Sequence, residues 1–204
     1  MRDDTGTGTG AVTVVPANQQ RWDDVRAILG PKSLDTPSCW CLAMRLSAGD
    51  PRIKNQPARA RADTLYELCG EDIPPGVLAY RDEEPVGWCS VSPRANYHRL
   101  VQSRVIPALD DEPVWSVVCF VVKAGHRRQG LAGLLLDGAV DYARSRGATI
   151  VEGYPADTEG ARIDVASAYV GTRSLFERHG FAKAADTASK GGGKPRVLMR
   201  RTLT

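Results

Sequence analysis

The chain has 204 residues, of which 42% are hydrophobic and 25% charged, with a formal net charge of +3 and five cysteines. That much apolar material suits one core, so residues 11–204 are expected to form a single domain. The small net charge gives no reason to expect nucleic acid as a partner, and an odd number of cysteines in a chain too long to need staples points to reduced thiols.

Residues 1–10 are Gly, Thr and Asp-rich with no apolar periodicity and are expected to be a disordered tail. Met1 to Gly6 lacks the apolar core of a signal peptide, and no run of about 18 apolar residues follows, so a cytoplasmic location without membrane association is expected. Val12 to Val15 reads as a first strand. Asn18 then precedes Trp22, Val25, Ile28 and Leu29, apolar at helical spacing and stopped by Gly30-Pro31. Cys39-Trp40-Cys41 lacks a second cysteine pair or histidines at ligand spacing; a packed turn or an alternating strand suffices, and no metal is expected. Residues 47–57 read as a loop, 58–68 as a second helix closed by Gly70, 76–80 as a strand, and 85–94 as its antiparallel return. Asp110-Asp111-Glu112 and the pair Arg200-Arg201 read as solvated surface.

Residues 114–122 form an apolar strand, and Gln129 to Arg146 a helix with Leu131, Leu134, Leu135, Gly138, Ala139 and Tyr142 on one stripe. Another strand follows at 149–154. A strand, helix, strand unit of this length is a right-handed crossover, so the two strands should be parallel.

Between the central strand and its helix lies Lys123-Ala124-Gly125-His126-Arg127-Arg128-Gln129-Gly130-Leu131-Ala132-Gly133. The first amides of a helix lack internal partners and point outward, and the dipole adds partial positive charge, so a phosphate is the natural occupant. Gly130 and Ala132 carry no side chain that would block its approach, and Arg127 and Arg128 add charge. Two other phosphate motifs are excluded. Gly193-Lys194 is followed by Pro195 and has Ala188 where a P-loop needs glycine, and Gly6, Gly8 and Gly10 follow no strand.

Arg127, Gly130 and Ala132 in this setting resemble the signature of the GNAT N-acetyltransferase superfamily: Arg or Gln, two residues, Gly, one residue, then Gly or Ala. Thr172 to Phe181 looks like that family's late helix with its terminal Gly-Phe turn, and Pro85 to Cys89 like its early strand. The resemblance covers roughly residues 76 to 200. It implies an α/β fold with a central mixed, twisted sheet flanked by helices, whose parallel fourth and fifth strands splay apart. It also implies acetyl transfer from acetyl-CoA to a primary amine by direct attack. The cofactor's pyrophosphate is then expected at Arg127, Arg128, Gln129, Gly130, Leu131, Ala132 and Gly133. Its pantetheine arm would lie against Phe120, Val121 and Val122, with the Val122 amide serving the oxyanion. The acceptor site is expected between the first two helices and the sheet edge.

Two departures stand out. Phe176 occupies the place of the tyrosine that often protonates the thiolate, and Ser116 that of a carboxylate some members use. Glu152, the only acidic residue of its strand, is then the candidate base, and Tyr154 and Tyr169 are candidate acids, with solvent exposure or core packing as the alternatives. His126 and His179 look non-catalytic, and Trp40, Trp88 and Trp115 fit either pocket wall or core. The expected acceptor is a small metabolite or antibiotic amine. A protein amine, or a non-catalytic acyl-CoA-binding module, is the alternative, and a homodimer stays open.

Overall fold

A computed structural model describes residues 10–161 and 168–203. Most of the expected tail, residues 1–9, lies outside them. Seven strands form one mixed sheet in the order β1-β2-β3-β4-β5-β7-β6. They are β1 Val12–Pro16, β2 Gly76–Arg81, β3 Glu84–Pro93, β4 Trp115–Val122, β5 Ile150–Gly153, β6 Ala182–Gly191 and β7 Lys194–Thr202. Among the described strands only the β4–β5 pair is parallel, as the crossover reading requires.

β4 is apolar along both faces because both are covered. Val117 belongs to the core under α4 (Leu131–Ser145), whereas Val118 packs with Leu100, Ile106 and Tyr154 on the other face. The helices α1 (Trp22–Leu29) and α2 (Ala60–Cys69) cover a cluster around Trp40, Leu78 and Trp88. Two short helices, α3 (His98–Val101) and α5 (Arg173–Arg178), are also present among the described residues. α5 is capped by the Thr172 side chain, which accepts from the Leu175 amide.

The stripe read along α4 is buried at Leu131, Leu135, Ala139 and Tyr142, and the buried face extends to Leu136, Val140 and Ala143, while Leu134, beside the edge strand β1, is 42% exposed. Family resemblance implied a strand beginning at the Gly180-Phe181 turn, where β6 starts, but the extent of β6 and its return in β7 were not legible. β6 lies at the sheet edge, where an alternating polar sequence needs no apolar face, and its lysines and register shifts blunt that edge.

Two local features shape the middle of the sheet. The β3–β4 register shifts between Ser90 and Val91, so that Cys119 faces Ser90, Val117 faces Val91, and Val118 is the extra residue of a bulge. The β4–β5 ladder holds only Trp115–Val151, Ser116–Glu152 and Val117–Gly153, after which β4 continues to Val122 without a partner on that side. Phe176 of α5 sits in the fork. It is fully buried, 6.2 Å from the Phe120 ring and 5.0 Å from that of Phe181, and lies directly over Gly153, where β5 ends.

Candidate active site

The fork opens onto a cavity of about 660 Å³. Lys123 donates from its amide to the Val86 carbonyl at 3.0 Å, so the two-residue alternation of a strand turns the backbone of Phe120 and Val122 away from β3 and into the gap. Beyond the strand, Arg128 and Gly130 take left-handed conformations with φ of 62° and 77°. Alternating left-handed residues at a helix start turn successive amides to one side and make a nest for an anion. The amides of Arg128, Gln129, Gly130, Leu131 and Ala132 have no acceptor among the described residues, and the α4 dipole adds to their pull. A Cβ at Gly130 would meet nothing within 4 Å, so the cradle is open on that side.

All the residues expected at a cofactor line this cavity except Gln129. The Gln129 side chain is engaged elsewhere, donating to the Gly125 carbonyl at 3.2 Å and accepting from Arg81. Arg127 reaches back, and its Nε donates to the Val122 carbonyl at 3.1 Å. His126 lies on the wall with Nε2 3.6 Å from Glu84, and His179 holds Asp137 at 2.9 Å.

A second cavity of about 630 Å³ lies on the α1 side of the sheet. Its walls are largely apolar: Ile28 and Leu29 of α1, Trp40 and Met44 from the following loop, Ile106, and the bulge residue Val118. α2, expected as a wall, contributes none; the loops through residues 38–44 and 99–106 take its place. Of the three tryptophans considered, Trp40 lines the cavity, while Trp88 and Trp115 are core. Cys39, Cys41 and Cys119 also line it, with the Cys41 and Cys119 sulfurs 3.0 Å apart. All five cysteines are free, and among the described residues no cluster of three or more His, Cys, Asp or Glu could hold a metal.

The two cavities share Val121 and Tyr169. Tyr169, 41% exposed on a short 3-10 turn at Ala168–Val170, accepts a 2.8 Å hydrogen bond from Arg196 Nη2, which leaves its own proton free to donate. Arg196 is a residue that sequence reasoning missed. The only available signal was an arginine leading into the apolar run Val197-Leu198-Met199 of β7, and that signal is local, whereas its place in the cavity comes from sheet order.

The other two candidate catalytic residues are placed differently from expectation. Ser116, Glu152 and Arg200 stand side by side across β4, β5 and β7. Glu152 is 1% exposed and accepts from Arg200 Nε at 3.0 Å and Nη2 at 2.6 Å, and from the Tyr154 hydroxyl at 3.0 Å. Arg200 continues to Asp110; the acidic run is exposed as expected, whereas the Arg200 side chain is largely buried and leaves the solvated surface expected for it. Ser116 Oγ and Arg94 Nη1 complete the shell around the Tyr154 hydroxyl at 3.0 and 2.8 Å. Burial, reinforced by the Glu152 carboxylate, pushes the Tyr154 hydroxyl far above its usual range. Neither Glu152 nor Tyr154 lines either of these two cavities. Glu152 was the candidate base; the structure instead pairs and hydrogen-bonds this deeply buried carboxylate on the sheet, away from both cavities. Phe176 likewise lines neither cavity and packs as core.

Among the described residues no helix is long and apolar enough to cross a membrane. No curated protein sequence matches the chain. The fold is shared with solved acetyltransferase structures at low identity. A GNAT-family acetyltransferase from Streptococcus pneumoniae superposes with a TM-score of 0.52 at 15% identity over 95% of this chain and 100% of that one. An acetyltransferase of the GNAT family from Bacillus cereus gives 0.53 at 11%, over 96% and 99%. A chain of the NatC complex bound to Gag peptide and CoA gives 0.52 at 12%, over 95% and 99%. A sequence profile described as the Acetyltransferase (GNAT) family matches residues 43–181, well over half the chain and inclusive of the fork, the amide nest and α5. The chain belongs to the Acetyltransferase (GNAT) family.

Proposed function

We propose that this chain transfers an acetyl group from acetyl-CoA to a primary amine of a small molecule by direct attack. The observation that carries this reading is the meeting of two cavities at Val121 and Tyr169, one with an amide nest and the other largely apolar. The residues present fit the donor. Five unpartnered amides with Arg127 and Arg128 beside them suit a pyrophosphate, and the one-sided backbone of Phe120 and Val122 suits an extended arm bearing amides. The CoA-bound NatC structure, alike in fold, supports the same donor.

Acetyl-CoA supplies the acyl carbon as an electrophilic thioester. The Val122 amide, facing the gap, donates to the carbonyl oxygen as negative charge develops there. The amine lone pair forms the new C–N bond and the C–S bond breaks. The departing sulfur receives a proton from Tyr169, whose hydroxyl is oriented by Arg196. The proton lost from the amine passes to water, from which the Tyr169 phenolate recovers its own, because the described lining of the acceptor cavity holds no carboxylate or histidine. The amine must therefore reach the site neutral, so turnover should rise with pH up to the acceptor's own pKa. A cavity of about 630 Å³ lies in the range that suits small ligands. The test is coenzyme A release over a panel of amino acids, simple amines, polyamines, aminoglycosides and peptides. Release with at least one small amine is expected, and no release with any of them would reject the reading.

A further inference from the structure

Among the described residues, the acceptor cavity holds a charge with nothing to balance it. Arg196 is 9% exposed, and its Nε has no hydrogen-bond partner among the described residues. Its one side-chain partner there is the neutral hydroxyl of Tyr169. The other buried arginine with an unpartnered Nε, Arg45, lines none of the cavities and lies over the Tyr97 ring at 4.5 Å while donating to the Pro75 carbonyl. Arg196 alone therefore combines a buried guanidinium, a free donor and an open cavity. A buried cation without a counter-ion is costly, and a guanidinium fork matches the two oxygens of a carboxylate. Arg99 adds a second positive charge to the same cavity, and no aspartate or glutamate is among its described lining residues.

We infer that the acceptor carries a carboxylate close to its amine and an apolar side chain, as an α-amino acid does. Arg196 holds the carboxylate. The distance between the two functional groups follows from Tyr169, which touches Arg196 and also stands where the two cavities meet, so that the anion and the attacking amine lie near one another. The apolar remainder, formed by Ile28, Leu29, Trp40, Met44, Ile106 and Val118, takes the side chain. Polyamines and aminoglycosides are disfavoured, because their additional cations would face Arg196 and Arg99 with no carboxylate among the described residues to receive them.

This inference rests on the acetyl-transfer reading for its chemistry, but its test reads binding, so the two can fail separately. Titration calorimetry on the full chain saturated with coenzyme A would compare L-leucine, L-methionine and L-phenylalanine with leucinamide, isoamylamine and spermidine. At least one of the three amino acids should bind more tightly than every probe that lacks the carboxylate. Arg196→Met, which keeps volume and removes charge, should weaken that amino acid by about 10- to 150-fold and leave isoamylamine nearly unchanged. Arg196→Lys should recover part of the loss, since it keeps the charge without the fork. Acetyl-CoA affinity should be the same in all three proteins. The inference is overturned if the amide or the bare amine binds as well as the amino acids, if none of the amino acids binds, or if Arg196→Met leaves the preference intact. It is overturned equally if Arg196→Met weakens acetyl-CoA instead. Coenzyme A release in parallel decides the acetyl-transfer reading independently.

Discussion

Gly153→Ala probes the fork itself. A Cβ at Gly153 would fall 2.1 Å from Phe176 Cε1 and 2.6 Å from Cζ, far inside contact distance, so the ring or β5 must move. The ring has little freedom. It is fully buried, edge-on to Phe120 and Phe181, and a Cβ at Gly171 would already lie 3.0 Å from its other edge. Overpacking of this kind costs about 1–3 kcal/mol. At about 2–4 °C per kcal/mol for a chain of this size, Tm should fall by roughly 2–12 °C. Phe176→Leu shortens the wedge, and in the double variant it should relieve part of the strain, with a coupling energy of about 0.5–3 kcal/mol. Urea unfolding of the wild type, both single variants and the double variant measures it. If Gly153→Ala is neutral to within about 0.5 kcal/mol, or the two changes simply add, Phe176 does not set the end of β5.

Other consequences concern charge and thiols. Arg200→Met leaves the Glu152 carboxylate buried without its cation, and should cost about 3–5 kcal/mol, whereas Glu152→Gln should leave turnover of the folded protein within about 3-fold of wild type, far short of the 100-fold or more expected on losing a general base; a loss of that larger size would restore Glu152 as the base. Burial pushes the Cys69 thiol up to about 12 and also raises Cys89, while Cys41 is raised by its hydrogen bond with Cys119 and by burial. These folded values lie above the unfolded one, so the protonated thiols' contribution is complete below about pH 8.5 and is lost as pH climbs toward the folded values. Tm should therefore decline above that point, Cys69→Ala should make the decline shallower, and a flat alkaline profile would contradict the burial of these thiols.

What the sequence made legible was local. The strand, loop and helix from Val117 to Arg146 could be read because their signals are periodicity and a glycine at a helix start, all within one segment, whereas α5 and its Gly180-Phe181 end came through family resemblance. The splay of β4 and β5 came only through family resemblance, since nothing in Val117-Val118-Cys119 announces where a neighbouring strand stops. Glu152 looked available because a strand residue's facing cannot be told without its partners; Arg200 lies 48 positions away. Arg196 and Tyr169 meet for the same non-local reason, because Arg196 lies on β7, the return strand of the hairpin that the sequence did not announce.

The most direct test of the donor site is acetyl-CoA affinity in Gly130→Glu against wild type, by titration calorimetry. Gly130 sits at φ 77° in open space, so Gly130→Ala introduces only backbone strain of about 1–2 kcal/mol and serves as the control. Gly130→Glu adds a negative charge at the mouth of the amide nest. Binding should be lost in Gly130→Glu and kept, though weakened, in Gly130→Ala; unchanged affinity in a folded Gly130→Glu protein would contradict the placement of the pyrophosphate at the start of α4.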